Sequence, residues 1–319
     1  MSVHSTGVRW YRCRAIAASA LLLLLMIGKA HAADKSSGVT GSHNITYWEI
    51  PDDPARDDHK LDVYCPKGKT DCPVLIFWHG GAWCSGCKDK VLSIFGYDNI
   101  AESFAQRGIV VVVPNYRLSP AVKHPEHIRD AAHAFAWTSK HIADYGGDPD
   151  HIFVGGHSAG GHLASLLAVD PCWLNEVGRG PRHISGVVSV SGVYALKDID
   201  YDVKWSWTAP KNYFKCEGEV RPLKLAFGSD PDVIKEASPI NHVHSGLPPF
   251  LLLNGGLDYC PLKRMAKDFS SALKDAGCDV QSKTISWRTH DTLLFDVVHR
   301  TADKKTTKAI VDFIGGHMD

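Results

Sequence analysis

The sequence has no surplus of positive charge: Lys and Arg together number 35, and so do Asp and Glu. Neutralising a phosphate backbone takes an excess of cations, so nucleic acid is not an expected partner. There is no low-complexity stretch, no internal repeat and no long Pro/Gly linker. That excludes solenoids and strings of small modules. Long apolar runs are also scarce, and the run at residues 15–27 falls short of the roughly 20 residues that a helix needs to span a bilayer. What is present is ordinary for a globular chain of 319 residues, 44% hydrophobic and 22% charged.

The apolar run has the setting of an export signal. Arg9, Arg12 and Arg14 precede it, and Ala30, His31 and Ala32 follow with the small-x-small form of a cleavage site. A signal peptide over residues 1–32 is expected, with an uncleaved anchor as the alternative. Cleavage removes four cations, Arg9, Arg12, Arg14 and Lys29, and no acids, so 31 cations face 35 acids and the net charge becomes −4. Residues 33–319 then form a single exported domain, periplasmic or extracellular and not held at a membrane.

Cys13 leaves with the signal, and eight cysteines remain: Cys65, Cys72, Cys84, Cys87, Cys172, Cys216, Cys260 and Cys278. An even set in an oxidising compartment predicts disulfides. Cys84-Ser-Gly-Cys87 has the spacing of a zinc pair, but no second CxxC or HxxxH follows at finger-like distance, and no metal is expected. A redox dithiol would need to open a helix in a much smaller domain.

Apolar runs predict eight strands, at residues 45–50, 61–64, 74–78, 109–113, 152–154, 187–190, 250–253 and 280–285. Helices are expected at 100–106, 128–145, 159–168, 262–276 and 302–314. In the second, Ile128, Ala131, Ala132, Phe135, Ala136 and Ile142 trace one face at 3.6-residue spacing. Strand and helix alternate, which predicts a mostly parallel sheet with helices on both faces. Residues 194–237, rich in Asp, Lys, Trp and Tyr without periodicity, read as a cap-like excursion. Residues 33–42 read as a loose mature N-terminus.

Two segments carry chemistry. Ile152-Phe-Val-Gly-Gly-His-Ser158-Ala159-Gly160-Gly161-His162 runs an apolar strand straight into Gly-x-Ser-x-Gly and then a helix, the setting of a nucleophile elbow with Ser158 at its apex. Val74-Leu-Ile-Phe-Trp-His79-Gly80-Gly81-Ala82-Trp83 ends another strand in a glycine turn. Backbone N–H groups fixed in advance stabilise the negative charge that attack on a carbonyl creates. The amides of Gly81, Ala82 and Ala159 are the expected donors, with His79 and Gly80 supporting the loop.

These motifs, with Asn115-Tyr116-Arg117-Leu118 and Gly256-Leu257-Asp258, resemble the α/β-hydrolase carboxylesterases, specifically the hormone-sensitive-lipase, kynurenine-formamidase and bacterial feruloyl-esterase-like group. The similarity runs from about residue 45 to the C-terminus and is weakest over 194–237. Many relatives carry Gly where Ala82 stands; a backbone donor survives that change. The resemblance implies the chain order nucleophile, acid, histidine. Asp258 follows the 250–253 strand where such enzymes keep the acid, the alternative being a helix cap. His290 follows the 280–285 strand as general base; Asp291 adjoins it too closely in sequence to orient it. His124 and His127, three apart at a helix start, read as a solvated helix face. His157 and His162 resemble residues that pack around the elbow. Trp83, Trp205, Trp207 and Tyr259 are candidates for an acyl or aromatic pocket, with core packing the alternative for Trp83.

The function implied is a cofactor-free serine carboxylesterase acting on small-molecule or polysaccharide-linked esters. A formamide hydrolase and a non-catalytic binding protein on the same fold are the alternatives. The family topology makes the strand before Cys65 antiparallel. That divides the cysteines between the two sheet edges: Cys65, Cys72, Cys172 and Cys278 at one, Cys84, Cys87, Cys216 and Cys260 at the other. Bonds are expected within each set, with Cys65 to Cys72 foremost.

Overall fold

The computed structural model describes residues 38–50, 57–89, 96–199, 221–298 and 305–318. The signal segment and the centre of the 194–237 excursion, with Trp205, Trp207 and Cys216, lie outside them.

Eight strands form one sheet: β1 (Val39–Thr46), β2 (Lys60–Pro66), β3 (Cys72–Trp78), β4 (Val110–Pro114), β5 (Gly147–His157), β6 (Gly186–Val190), β7 (Phe250–Gly255) and β8 (Val280–Ile285). Their order is β1-β2-β4-β3-β5-β6-β7-β8. β2 is antiparallel to both β1 and β4, and all other pairings are parallel. The buried stretches of the central strands, such as Val74–Phe77, Val110–Val113, Ile152–Val154 and Phe250–Leu253, are runs of Val, Leu, Ile and Phe because both of their faces are covered. Along β3 the sides alternate: Val74, Ile76 and Trp78 join one core, and Leu75 and Phe77 the other.

The helices are α1 (Tyr97–Ala105), α2 (Glu126–His141), α3 (Ala159–Val169), α4 (Pro171–Glu176), α5 (Pro222–Phe227), α6 (Pro231–Glu236), α7 (Cys260–Asp275), α8 (Thr292–Val298) and α9 (Lys305–Gly315). Residues of α2, α3 and α7 pack on one face, and residues of α1, α8 and α9 on the other. α3, which follows the Gly-x-Ser-x-Gly turn, is buried along its whole length. Among the described residues no helix is long and apolar enough to cross a membrane.

Three expectations need correction. The first strand is not 45–50 but Val39–Thr46, so residues 39–42 are part of the sheet edge rather than a loose terminus. This strand buries little, and its backbone ladder to β2 holds it. Hydrophobic pattern therefore points to its last residues and beyond them, to Ile45, Tyr47 and Trp48, which pack on the core. The second concerns the cysteines: the seven described ones form no disulfide with one another, so the expected bonds are absent among them. The edge assignment of Cys65 and Cys72 follows from the antiparallel β2, and burial and then neighbouring Cys72 push the Cys65 thiol up to about 11. Cys84 is instead buried, with Sγ towards the Pro222 carbonyl at 3.7 Å. Third, His124 and His127 are not a solvated face. His127 is 1% exposed, its Nε2 is 3.0 Å from Ser119 Oγ, and its ring and that of His124 both lie against Phe227.

The Asn115-Tyr116-Arg117 segment after β4 ties three parts of the molecule together. Arg117 donates to both carboxylate oxygens of buried Asp130 on α2 and to Glu126, and it lies 5.3 Å over the Trp48 ring. The Tyr116 hydroxyl donates to the His79 carbonyl at 3.1 Å. Asn115 Oδ1 accepts from the Lys88 amide at 2.6 Å, just beyond the 79–87 loop.

Candidate active site

In an open parallel sheet the ligand site forms at the carboxyl ends of the strands. Here the turns after β3, β5, β6, β7 and β8 carry His79 to Trp83, Ser158, Ser191, Asp258 and His290, in that order.

Ser158 caps the gap between β5 and α3 with φ 55° and ψ −114°, a conformation that non-glycine residues rarely hold. Its N–H donates to the Val190 carbonyl at 2.9 Å, which pins the turn to β6. The turn closes so tightly that a Cβ on Gly160 would stand 2.0 Å from the Trp78 carbonyl oxygen. That contact brings the end of β3 against the start of α3.

The loop after β3 turns through three consecutive left-handed residues, Gly81 (φ 118°), Ala82 (51°) and Trp83 (58°). A Cβ on Gly81 would meet the Ser85 carbonyl oxygen at 2.0 Å, so only glycine fits there. Among the described residues, the N–H groups of Gly81 and Ala82 donate to no backbone carbonyl, and Ala159 opens α3, where an N–H has no acceptor within its own helix. His79 is buried, with Nδ1 2.7 Å from the Gly80 carbonyl oxygen and its ring stacked on Tyr116 at 4.3 Å. The Tyr97 hydroxyl accepts from the Gly80 N–H at 2.7 Å. A Cβ on Gly80 would be 3.4 Å from Ser158 Cβ, so this loop abuts the elbow.

His290 Nδ1 is 3.0 Å from Asp258 Oδ1, and both residues are buried. The Tyr259 N–H donates to the same oxygen at 2.8 Å. Oδ2 accepts from the Ser191 hydroxyl and, at 3.5 Å, from Asn254 Nδ2. Burial would raise the Asp258 carboxyl, but the bond from His290, its charge and the bond from Ser191 outweigh it, and the carboxyl is held down at about 2. The His290 carbonyl accepts from His157 Nε2 at 3.0 Å, and the two rings lie 4.5 Å apart. This anchors the His290 loop to the residue immediately before Ser158.

His162, on the first turn of α3, has Nε2 2.7 Å from the Ala237 carbonyl, and its ring meets Trp83 and Phe227. Trp83 is 2% exposed and belongs to the core, whereas Tyr259 is 49% exposed beside His290, its ring centroid 5.2 Å from the imidazole. Asp291 makes no contact with His290 comparable to that of Asp258. No cluster of three or more metal-ligating side chains occurs among the described residues.

Ser191 and Asn254 escaped the sequence reading. A signal for Ser191 existed: β6 lies between the strands that lead to Ser158 and Asp258, and a Ser-Gly pair ends it.

An eight-stranded sheet of this order, with an elbow, a glycine loop and an acid and histidine at one edge, defines the α/β-hydrolase fold. The BD-FAE family model matches residues 61–273, and the chain belongs to that family. It is 30% identical over 275 residues to esterase LipQ of Mycobacterium tuberculosis, covering 84% of this chain and 61% of that protein. It is 28% identical over 277 residues to the probable isoprenylcysteine alpha-carbonyl methylesterase ICMEL1 of Arabidopsis thaliana, covering 82% and 54%. The chain thus spans little more than half the length of these curated relatives. Among solved structures, a truncated carbohydrate esterase from gut microbiota superposes with TM-score 0.69 at 21% identity, covering 89% of this chain and 98% of the other. Esterase B from Lactobacillus rhamnosis gives 0.68 at 20%, covering 95% and 93%. At these identities the two structures share the fold.

Proposed function

We propose that the protein is an exported serine carboxylesterase. The observation that carries this reading is the join between His290 and its neighbours: Nδ1 is 3.0 Å from Asp258, and the carbonyl is bonded to the residue preceding strained Ser158. An Nδ1–H held by a carboxylate leaves Nε2 as the acceptor, which a general base requires.

In the reaction, Ser158 Oγ forms a bond to the ester carbonyl carbon while its proton passes to His290 Nε2. The carbonyl oxygen takes the negative charge and meets the N–H groups of Gly81, Ala82 and Ala159. The carbon–alkoxide bond then breaks, and His290 returns the proton to the leaving alcohol. Water, deprotonated by the same imidazole, attacks the acyl-enzyme and releases the acid and Ser158. Asp258, ionised throughout, orients the imidazole and balances its charge while protonated.

LipQ and ICMEL1 are named as esterases, and a structural neighbour as a carbohydrate esterase; they support ester over formamide as the scissile bond and saccharide-linked esters as one substrate class. Fluorophosphonate labelling followed by peptide mapping tests the nucleophile. Ser158 alone should be labelled, and Ser158→Ala should lose ester hydrolysis by several orders of magnitude at unchanged melting temperature. Labelling of another serine removes the assignment. N-formylkynurenine turned over faster than any ester would make the enzyme an amide hydrolase.

A further inference from the structure

β5 and β8 are not neighbours: β6 and β7 lie between them in the sheet. Three interstrand spacings, about 14 Å in all, therefore separate the strand that delivers Ser158 from the strand that leads to His290. The turn after β8 has to reach back across that gap, and the sheet itself does not fix how far it reaches. The β7 turn steadies it on the way, through Asp258 Oδ1 at 3.0 Å from His290 Nδ1 and through the Leu257 N–H, which donates to the Arg288 carbonyl at 2.9 Å. Those bonds orient the imidazole, but they come from a strand two places away from the one that carries the nucleophile.

His157, the last residue of β5, closes the remaining distance. It lies four residues on from Phe153 and so projects from the same side of the strand, the side that packs against α8. Its Nε2 is 3.0 Å from the His290 carbonyl oxygen, and the two rings lie 4.5 Å apart. A carbonyl oxygen can only accept, so Nε2 carries the imidazole proton and Nδ1 has none. Burial, and then neighbouring His290, hold His157 down at about 3, so the ring stays a single-proton donor and does not compete for the proton that His290 takes from the serine. On its other side the ring meets the oxyanion loop: a Cβ on Gly80 would stand 3.0 Å from Nδ1 and 3.1 Å from the His157 carbonyl oxygen. The imidazole fills the space between the loop that receives the oxyanion and the loop that carries the base.

Resting on the esterase reading above, we infer that His157 is the positioning residue of the general base: its one N–H sets how far the His290 loop reaches towards Ser158, and its ring holds the Gly80 turn at the same point. It meets no substrate atom and exchanges no proton during turnover. A side chain that keeps an N–H at the place of Nε2 therefore substitutes for it, and one of equal length without that N–H does not. Glutamine meets the first condition and methionine the second, while asparagine keeps a donor that falls short of the His290 carbonyl.

Wild type, His157→Gln, His157→Met and His157→Asn are compared on p-nitrophenyl acetate, with thermal melts, and with the low-field proton resonance of His290 Nδ1–H followed by NMR. His157→Met and His157→Asn should lose about ten- to a hundredfold in kcat, the scale of a small misplacement of a catalytic group, with KM changed less than about twofold. His157→Gln should stay within about threefold of wild type, since one neutral hydrogen bond replaces another. The resonance should persist in wild type and His157→Gln and broaden in the other two. Equal losses in all three variants would overturn the inference, because the shape of the ring rather than its N–H would then matter. So would a loss carried by KM, or wild-type kcat in His157→Met. Should methionine and asparagine prevent folding, the glutamine variant decides alone: near wild-type kcat supports the role of the N–H, and a hundredfold loss in a folded protein overturns it. If wild type hydrolyses no ester the esterase reading fails instead, and the resonance still shows whether the N–H of residue 157 holds the His290 loop.

Discussion

The hydroxyl of Ser191 donates to Oδ2 of Asp258, the oxygen opposite the one that meets His290. Both carboxylate oxygens are thereby fixed, one by the end of β6 and the other by the loop after β8. Rotation of the carboxylate, which would misalign the imidazole, is blocked from the side away from the reaction.

Ser191→Ala removes that restraint and one hydrogen bond to a buried anion, a loss worth about 1.5–3 kcal/mol. Turnover should fall roughly tenfold to a hundredfold with KM little changed, and Ser191→Thr should recover part of it. A change in KM alone would mean that Ser191 meets substrate rather than acid.

Asp258→Asn should cost about 10⁴ in kcat, the scale seen when an orienting acid is lost from such a triad. Asp291→Asn should cost far less, because the imidazole Nδ1 is engaged by Asp258 at 3.0 Å. Steady-state kinetics on one ester rank the two, and the opposite ranking would place the acid at 291.

Gly81→Ala should be among the most damaging single changes. It forces a Cβ to 2.0 Å from the Ser85 carbonyl oxygen at φ 118°, combining overpacking with backbone strain of about 1–3 kcal/mol each. Gly256→Ala, whose Cβ would come no closer than 3.4 Å to its neighbours, serves as the comparison. Thermal melts should separate the two by several degrees; similar melting temperatures would show that the loop yields readily.

Burial holds His79 and His162 down at about 4, and His124, His127 and His157 at about 3, with neighbouring histidines adding to the effect at 124, 127 and 157. The unfolded chain takes up these protons near pH 6.5 and the folded chain does not. Between those limits the unfolded state binds more protons, so stability falls as the pH falls, by up to about 1.4 kcal/mol per pH unit for each histidine. Asp258, held at about 2, remains ionised throughout that window. Melting temperature measured from pH 7 to 4 should drop steeply below about 6.5, before most carboxylates titrate. A flat profile would mean that these histidines open to solvent without unfolding.

The alternation of apolar runs with amphipathic segments was enough to set the sheet, because central strands covered on both faces must be apolar along their length. Ser158 and the His79 to Trp83 loop were equally legible, since a strand ending in glycines leaves few places for the chain to turn. β1 was not: an edge strand is held by backbone ladder bonds and its side chains carry no hydrophobic pattern. The burial of His124 and His127 was hidden for a related reason. Phe227, which covers both, comes from a segment about a hundred residues later in the chain, and no local pattern records such a contact.

By itself the sequence determined what local chemistry can encode: strand and helix order, the glycines that permit left-handed turns, and the residue types able to attack, accept a proton and bear charge. Only the tertiary structure decided how they meet. The grip of Ser191 on Asp258, the bond from His157 to the His290 carbonyl, the separation of the described cysteines and the exposed Trp287 all depend on distances between residues remote in sequence. Packing sets those distances, and packing is a property of the whole chain that no single segment carries.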